Sequence, residues 1–302
     1  MNWRQEDVED EIEGRSAAVT ALGRLNDPRA IPPLMALLES MTEPGAPLDD
    51  YSDCLTLNIM ESLAELQAEE ALPFFVGALR SHELEVVKMA IWCLRQYQSY
   101  DAVPALLELL ADRSSVGRGR AAETLGLIGD SRALPVLIAI MENEHENEWL
   151  RNNAAEALGR IGGKDTFERL LAAFLDVGLN ENVRYGVSMG LGHLRDPRAF
   201  EPLCEALRSS KWPIFLVEAL GNLGDRRAVP VLIDCLQHRR HEVVEKSAMA
   251  LSQLEDQRAI EPLRRARSSW GDNTLGAWVK TAIDKALAHL SSHPPVRPRC
   301  PE

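Results

Sequence analysis

Short apolar segments with helical spacing recur along the chain, each preceded by the same polar turn. In residues 219–237, "ALGNLGDRRAVPVLIDCLQ", apolar residues such as Val229 and Leu232 fall three or four positions apart. The stretches 190–208 and 124–142 repeat this pattern almost unchanged. Apolar residues at this spacing predict amphipathic helices, and no alternating strand pattern competes with them. The sequence therefore predicts an all-α fold.

The repeat extends over most of the chain and has a nearly constant length. Aligned on the alanine of "RA", successive copies are 29 to 33 residues apart, except for one gap of 41 residues. This register is marked by Ala30, Ala71, Ala102, Ala133, Thr166, Ala199, Ala228 and Ala259. A fixed period of this length is typical of repeat architectures. It predicts eight units, with an additional half unit before the first.

Each unit is predicted to contain two short helices. Proline stands two residues after the register alanine in several units, where the first turn of a helix tolerates it. Aspartate precedes the alanine at a position suited to capping the first helix. The second helix, as in "LRNNAAEALGRI", carries alanine and glycine residues that allow close approach of neighbours. Such helix pairs bury their apolar faces only by stacking, which predicts a right-handed α-solenoid of about eight two-helix repeats.

The run "ALGxLGDxRAxPxL", found in "ALGNLGDRRAVPVL" and "TLGLIGDSRALPVL", resembles the HEAT-like repeat named after the phycobilisome lyases. The resemblance covers about residues 14 to 288. It implies an α-solenoid, and one activity within the family is the attachment of a linear tetrapyrrole to a phycobiliprotein cysteine. The same repeat also occurs in proteins of other functions, so the resemblance implies the repeat class before any activity.

The predicted domain organisation is a single solenoid over residues 1–290, followed by a disordered, proline-rich tail at 291–302. Helices at about 5–25 and 273–290 are expected to cap the two ends of the stack. An insertion at 40–53, rich in proline, glycine and aspartate, accounts for the longer gap between the first two register alanines. It is predicted to be a loop.

The net charge of −13 argues against nucleic acid or an anionic membrane surface as the main partner. No apolar segment is long enough for a membrane span, and the N-terminal residues lack the pattern of a signal peptide. A cytoplasmic location is therefore expected. The five cysteines are odd in number and form no CxxC pair, so neither a disulfide framework nor a zinc site is predicted.

Basic residues recur near the start of the second helix, and Arg118, Arg151 and Arg184 do so in three successive units. Two interpretations are open. The arginines could pair with acidic side chains in adjacent turns, forming a ladder along the stack. They could instead offer a row of forked donors to carboxylates of a partner or ligand, and a bilin's two propionates would suit such a row. The arginines of the "DxR" turns recur in most units and are interpreted as packing elements.

Deviations from the repeat are the places where function could be specific to this chain. Tyr51, in the predicted loop, is a candidate contact residue. Trp149 and Trp212 lie in or next to second helices, where an aromatic side chain would either fill the core between repeats or line the groove. The turn "MENEHENEW" surrounds His145 with glutamates but matches no calcium or zinc spacing, and it is interpreted as a solvated acidic turn.

The sequence favours a non-catalytic scaffold that binds a protein partner, preferably one with a basic patch, in a concave groove made by the second helices. No metal or cofactor is predicted. Three His-Glu pairs, at 82–83, 145–146 and 241–242, are similar to the iron ligands of HEAT-repeat deoxyhypusine hydroxylases, but they fall in turns at unequal registers. The alternative is a phycobilin lyase or lyase subunit, which would bind a phycobilin transiently and act on a phycobiliprotein subunit.

Overall fold

The computed structural model describes residues 5–41, 50–81, 83–112, 117–209, 213–271 and 273–292. Over these residues the regular structure is entirely helical, with 17 α-helices and no strand. The chain divides into two compact units, Met1–Val136 and Leu137–Glu302. The predicted fold class, an α-solenoid of about eight two-helix repeats, is confirmed.

The helices alternate between the two positions of the repeat. The half unit at the start is α1 (Gln5–Arg24). The first helices of the eight repeats are α2 (Ile31–Met41), α4 (Leu72–Ala78), α6 (Val103–Ala111), α8 (Leu134–Glu142), α10 (Thr166–Leu175), α12 (Phe200–Ser209), α14 (Val229–Cys235) and α16 (Ile260–Ser269). The second helices are α3 (Asp50–Glu65), α5 (Leu84–Tyr97), α7 (Arg118–Ile128), α9 (Glu148–Ile161), α11 (Glu181–Leu194), α13 (Pro213–Leu223), α15 (His241–Gln253) and α17 (Thr274–Ser292).

The register alanine marks a buried junction in every repeat. All eight residues at this position are buried, and so is the residue four positions later, which is phenylalanine in the second repeat and leucine in the other seven. Residues four apart lie on the same face of a helix, so both face the core. The apolar period read from the sequence therefore identifies the buried side of each first helix.

In five of the eight repeats, an aspartate-containing turn precedes the first helix, and its structure is more specific than a simple helix cap. Asp196 accepts a hydrogen bond from the backbone N–H of Arg198 (2.9 Å), and residues Pro197–Ala199 form a single 3₁₀ turn before α12 begins. The same arrangement surrounds Asp27, Asp130, Asp225 and Asp256. The aspartate thus caps the 3₁₀ turn by accepting from the N–H of the residue two positions later. The sequence instead predicts a cap on the first helix itself.

Second helices of successive repeats pack directly on one another within each unit, and glycines set their spacing in unit 137–302. A Cβ atom at Gly159 of α9 would overlap the backbone carbonyl oxygen and Cα of Gly190 on α11. A Cβ at Gly186 would likewise overlap the backbone of Asn152. The absence of side chains at these positions lets the two helix backbones touch, as the small residues in the sequence predict.

The described bounds refine the predicted organisation. Helix α1 begins at Gln5, and α17 runs from Thr274 to Ser292, so the first two residues of the predicted tail are still helical. Residues 40–41 end α2 and residues 50–53 begin α3, which narrows the predicted insertion to 42–49. Residues 42–49 and 293–302 lie outside the described residues.

Candidate functional site

The three arginines near the start of second helices are bonded to backbone carbonyls within their own repeats. Arg118 Nε donates to the carbonyl of Leu110 (2.9 Å), and Arg151 Nε donates to that of Met141 (2.9 Å). Arg184 donates to the carbonyls of Phe174 (2.5 Å), Asp176 (2.6 Å) and Leu179 (3.3 Å). These carbonyls lie in the last turn of a first helix or in the turn that follows it, where no intrahelical partner is available.

This geometry favours a structural interpretation of the arginine row, in which the guanidinium groups bind backbone carbonyls near the ends of the first helices. A guanidinium near a helix C-terminus also interacts favourably with the helix dipole. Arg151 additionally lines a groove of about 580 Å³ at the edge of the repeats, together with Glu142, Glu144 and Arg169. If these arginines also bind a partner, they must do so with the guanidinium N–H groups that are not bonded to the carbonyls.

Four of the five "DxR" arginines also contact the preceding repeat. Arg227 forms an ion pair with Asp225 (2.6 Å) and donates to the carbonyl of Pro197 (3.0 Å) in the preceding turn. Its guanidinium also lies over the ring of Phe200, 4.4 Å from the centroid. The arginine bond lowers the pKa of Asp225 below its ordinary value, against the opposing effect of partial burial. The repeated motif thus has a packing role in each repeat where this geometry occurs.

Two glutamates of the segment "MENEHENEW" bind separate partners. Glu142 pairs with Arg169 (2.5 Å), and Glu148 accepts hydrogen bonds from the amides of Asn180 (2.7 Å) and Asn182 (2.8 Å). Among all residues that the structure describes, no three His, Cys, Asp or Glu side chains are grouped so that they could hold a metal ion.

The His-Glu pairs lie at different places in their repeats. His241 is the first residue of α15, His145 lies in the turn before α9, and His82 falls outside the described residues. The resemblance to the hydroxylases implies ligand pairs seven and six residues before the glycine of each "LG" segment, and in α9 these positions hold Asn152 and Asn153. The two described pairs therefore occupy unequal registers, as expected from the sequence.

The exposed side chains of α9, α11, α13, α15 and α17 form a continuous surface of unit 137–302, here named the second-helix face. Neighbouring helices are linked across it at three successive interfaces. Glu156 of α9 lies 3.4 Å from His193 of α11, Tyr185 of α11 packs on Phe215 of α13 with ring centroids 4.4 Å apart, and Glu218 of α13 pairs with Lys246 of α15 at 3.0 Å. Lateral contacts thus join α9, α11, α13 and α15 in succession.

Glu156 is the most strongly perturbed carboxylate of this face. The nearby His193 lowers its pKa most, and Arg160 (2.6 Å) lowers it further, to about 2, although burial acts in the opposite direction. A pKa lowered in the folded state stabilises the fold above the unfolded-state pKa, and this stabilisation disappears as the pH falls through the folded value.

We expect the free energy of unfolding to decrease by roughly 2 kcal/mol between pH 4.5 and pH 2 through Glu156 alone. The variant Glu156→Gln removes this titration, so its loss of stability over the same interval should be smaller than that of the wild type. Urea unfolding followed by circular dichroism at a series of pH values measures the difference. Parallel pH profiles of the two proteins would contradict the assignment.

Large apolar side chains remain exposed at two places on the second-helix face. Trp149, in the first turn of α9, is 52% exposed, whereas Met249 of α15 and Trp278 of α17 are 45% and 63% exposed. Met249 and Trp278 line a groove of about 570 Å³ between α15 and α17, with Ala282 and Ala286 also in its lining. Large exposed apolar groups in a concave surface mark an interaction site more often than scattered ones do.

The structure thus describes the side chains of only some of the predicted contact residues. Trp149 is an exposed residue of α9 on the second-helix face, and its role as a contact residue stays a prediction. Tyr51 belongs to the first turn of α3, but its side chain lies outside the described part of the structure, as does the whole of Trp212. Met249 was not identified from the sequence, since a methionine at helical spacing is usually part of a core.

No helix in the described segments is both long and apolar enough to cross a membrane.

Comparison with known proteins identifies the repeat. The family described as HEAT repeats matches residues 48–116, 107–178 and 213–282, which together include about two thirds of the chain. The PBS lyase HEAT-like repeat matches residues 14–40 and 183–209. The deoxyhypusine hydroxylases of Emericella nidulans and Aspergillus oryzae are 36% and 34% identical to 100 and 103 residues of this chain. These matches cover 32% and 33% of the chain but only 28% and 29% of those relatives.

Two solved structures share the fold. The complex of CpcE and CpcF of phycocyanin lyase from Nostoc sp. PCC7120 contains a chain with a TM-score of 0.50 and 20% identity, covering 72% of this chain and 94% of that one. A structure of Kap95p with RanGDP gives a TM-score of 0.53 at 13% identity, covering 91% of this chain and 43% of that one. At these identities the similarity extends to the fold alone.

Proposed function

This chain belongs to the HEAT-repeat family, and from this membership we propose that it is a non-catalytic scaffold that binds a protein partner along the second-helix face. The observation that carries the proposal is the exposure of Trp149, Met249 and Trp278 on that surface. Tryptophan and methionine are enriched at protein interfaces, where burial of a large side chain supplies much of the binding free energy. Trp149 and Trp278 are therefore proposed as partner contacts.

The charge of the chain supports a partner with a basic patch. The net charge of −13 attracts a cationic surface at long range, and this attraction is screened by salt. The proposal therefore includes an association rate that falls as the ionic strength rises. The arginines at positions 118, 151 and 184 are assigned to the repeats in this proposal, because their guanidinium groups bind backbone carbonyls.

Site-directed photocrosslinking tests the proposal. A benzophenone amino acid is placed at Trp149 or Trp278 on the second-helix face, or at Glu205 on first helix α12 as a control, and the protein is irradiated in the cells that naturally produce it. We expect one adduct of constant mass, identified by mass spectrometry, from both tryptophan positions and none from Glu205. Equal labelling from all three positions, or no adduct from either tryptophan position, would contradict the proposal.

The match to the PBS lyase HEAT-like repeat supports one second candidate, a phycobilin lyase or lyase subunit. This candidate makes a different prediction for the same purified protein. Co-expression with a bilin-producing pathway should give visible absorbance and transfer of the pigment to an apo-phycobiliprotein. A colourless protein that does not support transfer would leave the scaffold as the function.

A further inference from the structure

The groove between α15 and α17 lies where a small side chain on α17 replaces the large side chain that makes the lateral contact on other helices of the second-helix face. Aligned on their "LG" segments, the second helices carry Phe215, Lys246 and Ala282 at equivalent positions of α13, α15 and α17. Lys246 reaches back to Glu218 of the preceding helix, at 3.0 Å. The methyl group of Ala282 is too short to make an equivalent contact with α15.

Two methionines at equivalent positions of the repeat differ in their exposed fraction. Met189 of α11 is only 5% exposed, and the next helix carries Phe215. Met249 of α15 occupies the equivalent position, and it is 45% exposed where the next helix carries Ala282. The difference in exposure therefore follows the size of the side chain on the neighbouring helix, and the groove is a specific departure from the repeat.

Charged side chains at the rim define what the groove can accept. Glu245 of α15 lies one helical turn before Met249, and Lys285 of α17 lies one turn after Thr281, which occupies the position equivalent to that of Glu245. Neither Glu245 nor Lys285 forms an ion pair with a residue that the structure describes. The groove thus has an apolar floor, an acidic residue on its α15 wall and a basic residue on its α17 wall, and the two charged positions are offset by one helical turn.

We propose that this groove binds a partner segment in which one large aliphatic or aromatic side chain lies between a basic and an acidic residue. The apolar side chain would occupy the space between Met249 and Trp278 above Ala282, the basic residue would face Glu245, and the acidic residue would face Lys285. This inference rests on the proposed scaffold function and names the partner chemistry at one place on the second-helix face. Burial of apolar area supplies affinity, and the paired charges fix the direction of the segment.

Selection from a library of random 16-residue peptides displayed on phage tests the proposal with the full-length protein. We expect enriched peptides to contain a large apolar residue flanked by Lys or Arg on one side and Asp or Glu on the other. Ala282→Phe should fill the groove and weaken their binding at least tenfold, measured by fluorescence anisotropy. Ala288→Phe adds the same ring to an exposed position of α17 outside the groove and should leave affinity within about twofold.

Charge reversal provides the second arm of the experiment. Selection on the variant Lys285→Glu should replace the acidic residue of the enriched peptides with a basic one. Peptides whose affinity is unchanged by Ala282→Phe but falls on substitution of Trp149 would overturn the groove assignment. The proposed scaffold function would then still stand. Failure to enrich any peptide would also overturn the groove assignment. Self-association of the protein that Ala282→Phe abolishes would overturn it as well, because the groove would then bind a second copy of the chain.

Discussion

Replacing Gly159 with alanine should lower the free energy of unfolding by about 3 kcal/mol, the largest effect that we expect from the addition of a single methyl group. The new Cβ would overlap the carbonyl oxygen and Cα of Gly190 on the neighbouring second helix. Backbone atoms cannot rotate away as a flexible side chain can, so α9 and α11 must separate along their contact. Urea unfolding followed by circular dichroism measures the loss.

The direction of this effect separates packing from helix propensity. Alanine is favoured over glycine by about 1 kcal/mol inside an exposed helix, so propensity alone predicts that Gly159→Ala is stabilising. Gly14→Ala in α1 is the matched control, because a Cβ at that position meets no atom within 4 Å. The control should be neutral or stabilising. A stabilising effect at both positions would show that the second helices do not depend on the glycine contact.

Most of the fold could be predicted from the sequence because the same pattern of apolar residues and turns recurs in eight repeats. The register alanines and the apolar residues four positions later are buried as their spacing predicts. The 3₁₀ turn at the "DxR" segments was not predicted, since an aspartate before a helix has the same sequence signature whether it caps a 3₁₀ or an α-helical turn. Short-range patterns thus identified the helices more accurately than the turns between them.

The candidate site was less predictable because it depends on contacts between repeats. The exposure of Met249 is related to the residue at position 282, which lies 33 positions away on another helix. Comparison of equivalent positions in the second helices could have revealed the small residue at Ala282, but not the orientation of the side chains around it. The partners of the arginine row were missed for a related reason, because backbone carbonyls at a helix end leave no mark in the sequence.

Loss of the Arg184 guanidinium should be the second most damaging change, and we expect Arg184→Met to lower the free energy of unfolding by about 3 kcal/mol. The arginine donates to three carbonyls, those of Phe174, Asp176 and Leu179, at the end of α10 and in the turn that follows. Methionine retains the apolar stem but removes this donor from the carbonyls of Phe174 and Leu179, whereas the carbonyl of Asp176 keeps its bond from the backbone N–H of Leu179 (3.2 Å). Arg184→Lys retains the charge and should recover only part of the loss, because an ammonium group lacks the planar fork of a guanidinium.

Arg239→Met, in an exposed turn of the same unit, is the matched control and should change stability by less than about 0.5 kcal/mol. Amide hydrogen exchange should show faster exchange of residues 176–180 in Arg184→Met than in this control, because the turn is no longer held by the guanidinium. The same variants also distinguish the two interpretations of the arginine row. If Arg184→Met were as stable as the control but lost its crosslinks from the second-helix face, the arginines would belong to the partner site and not to the repeat.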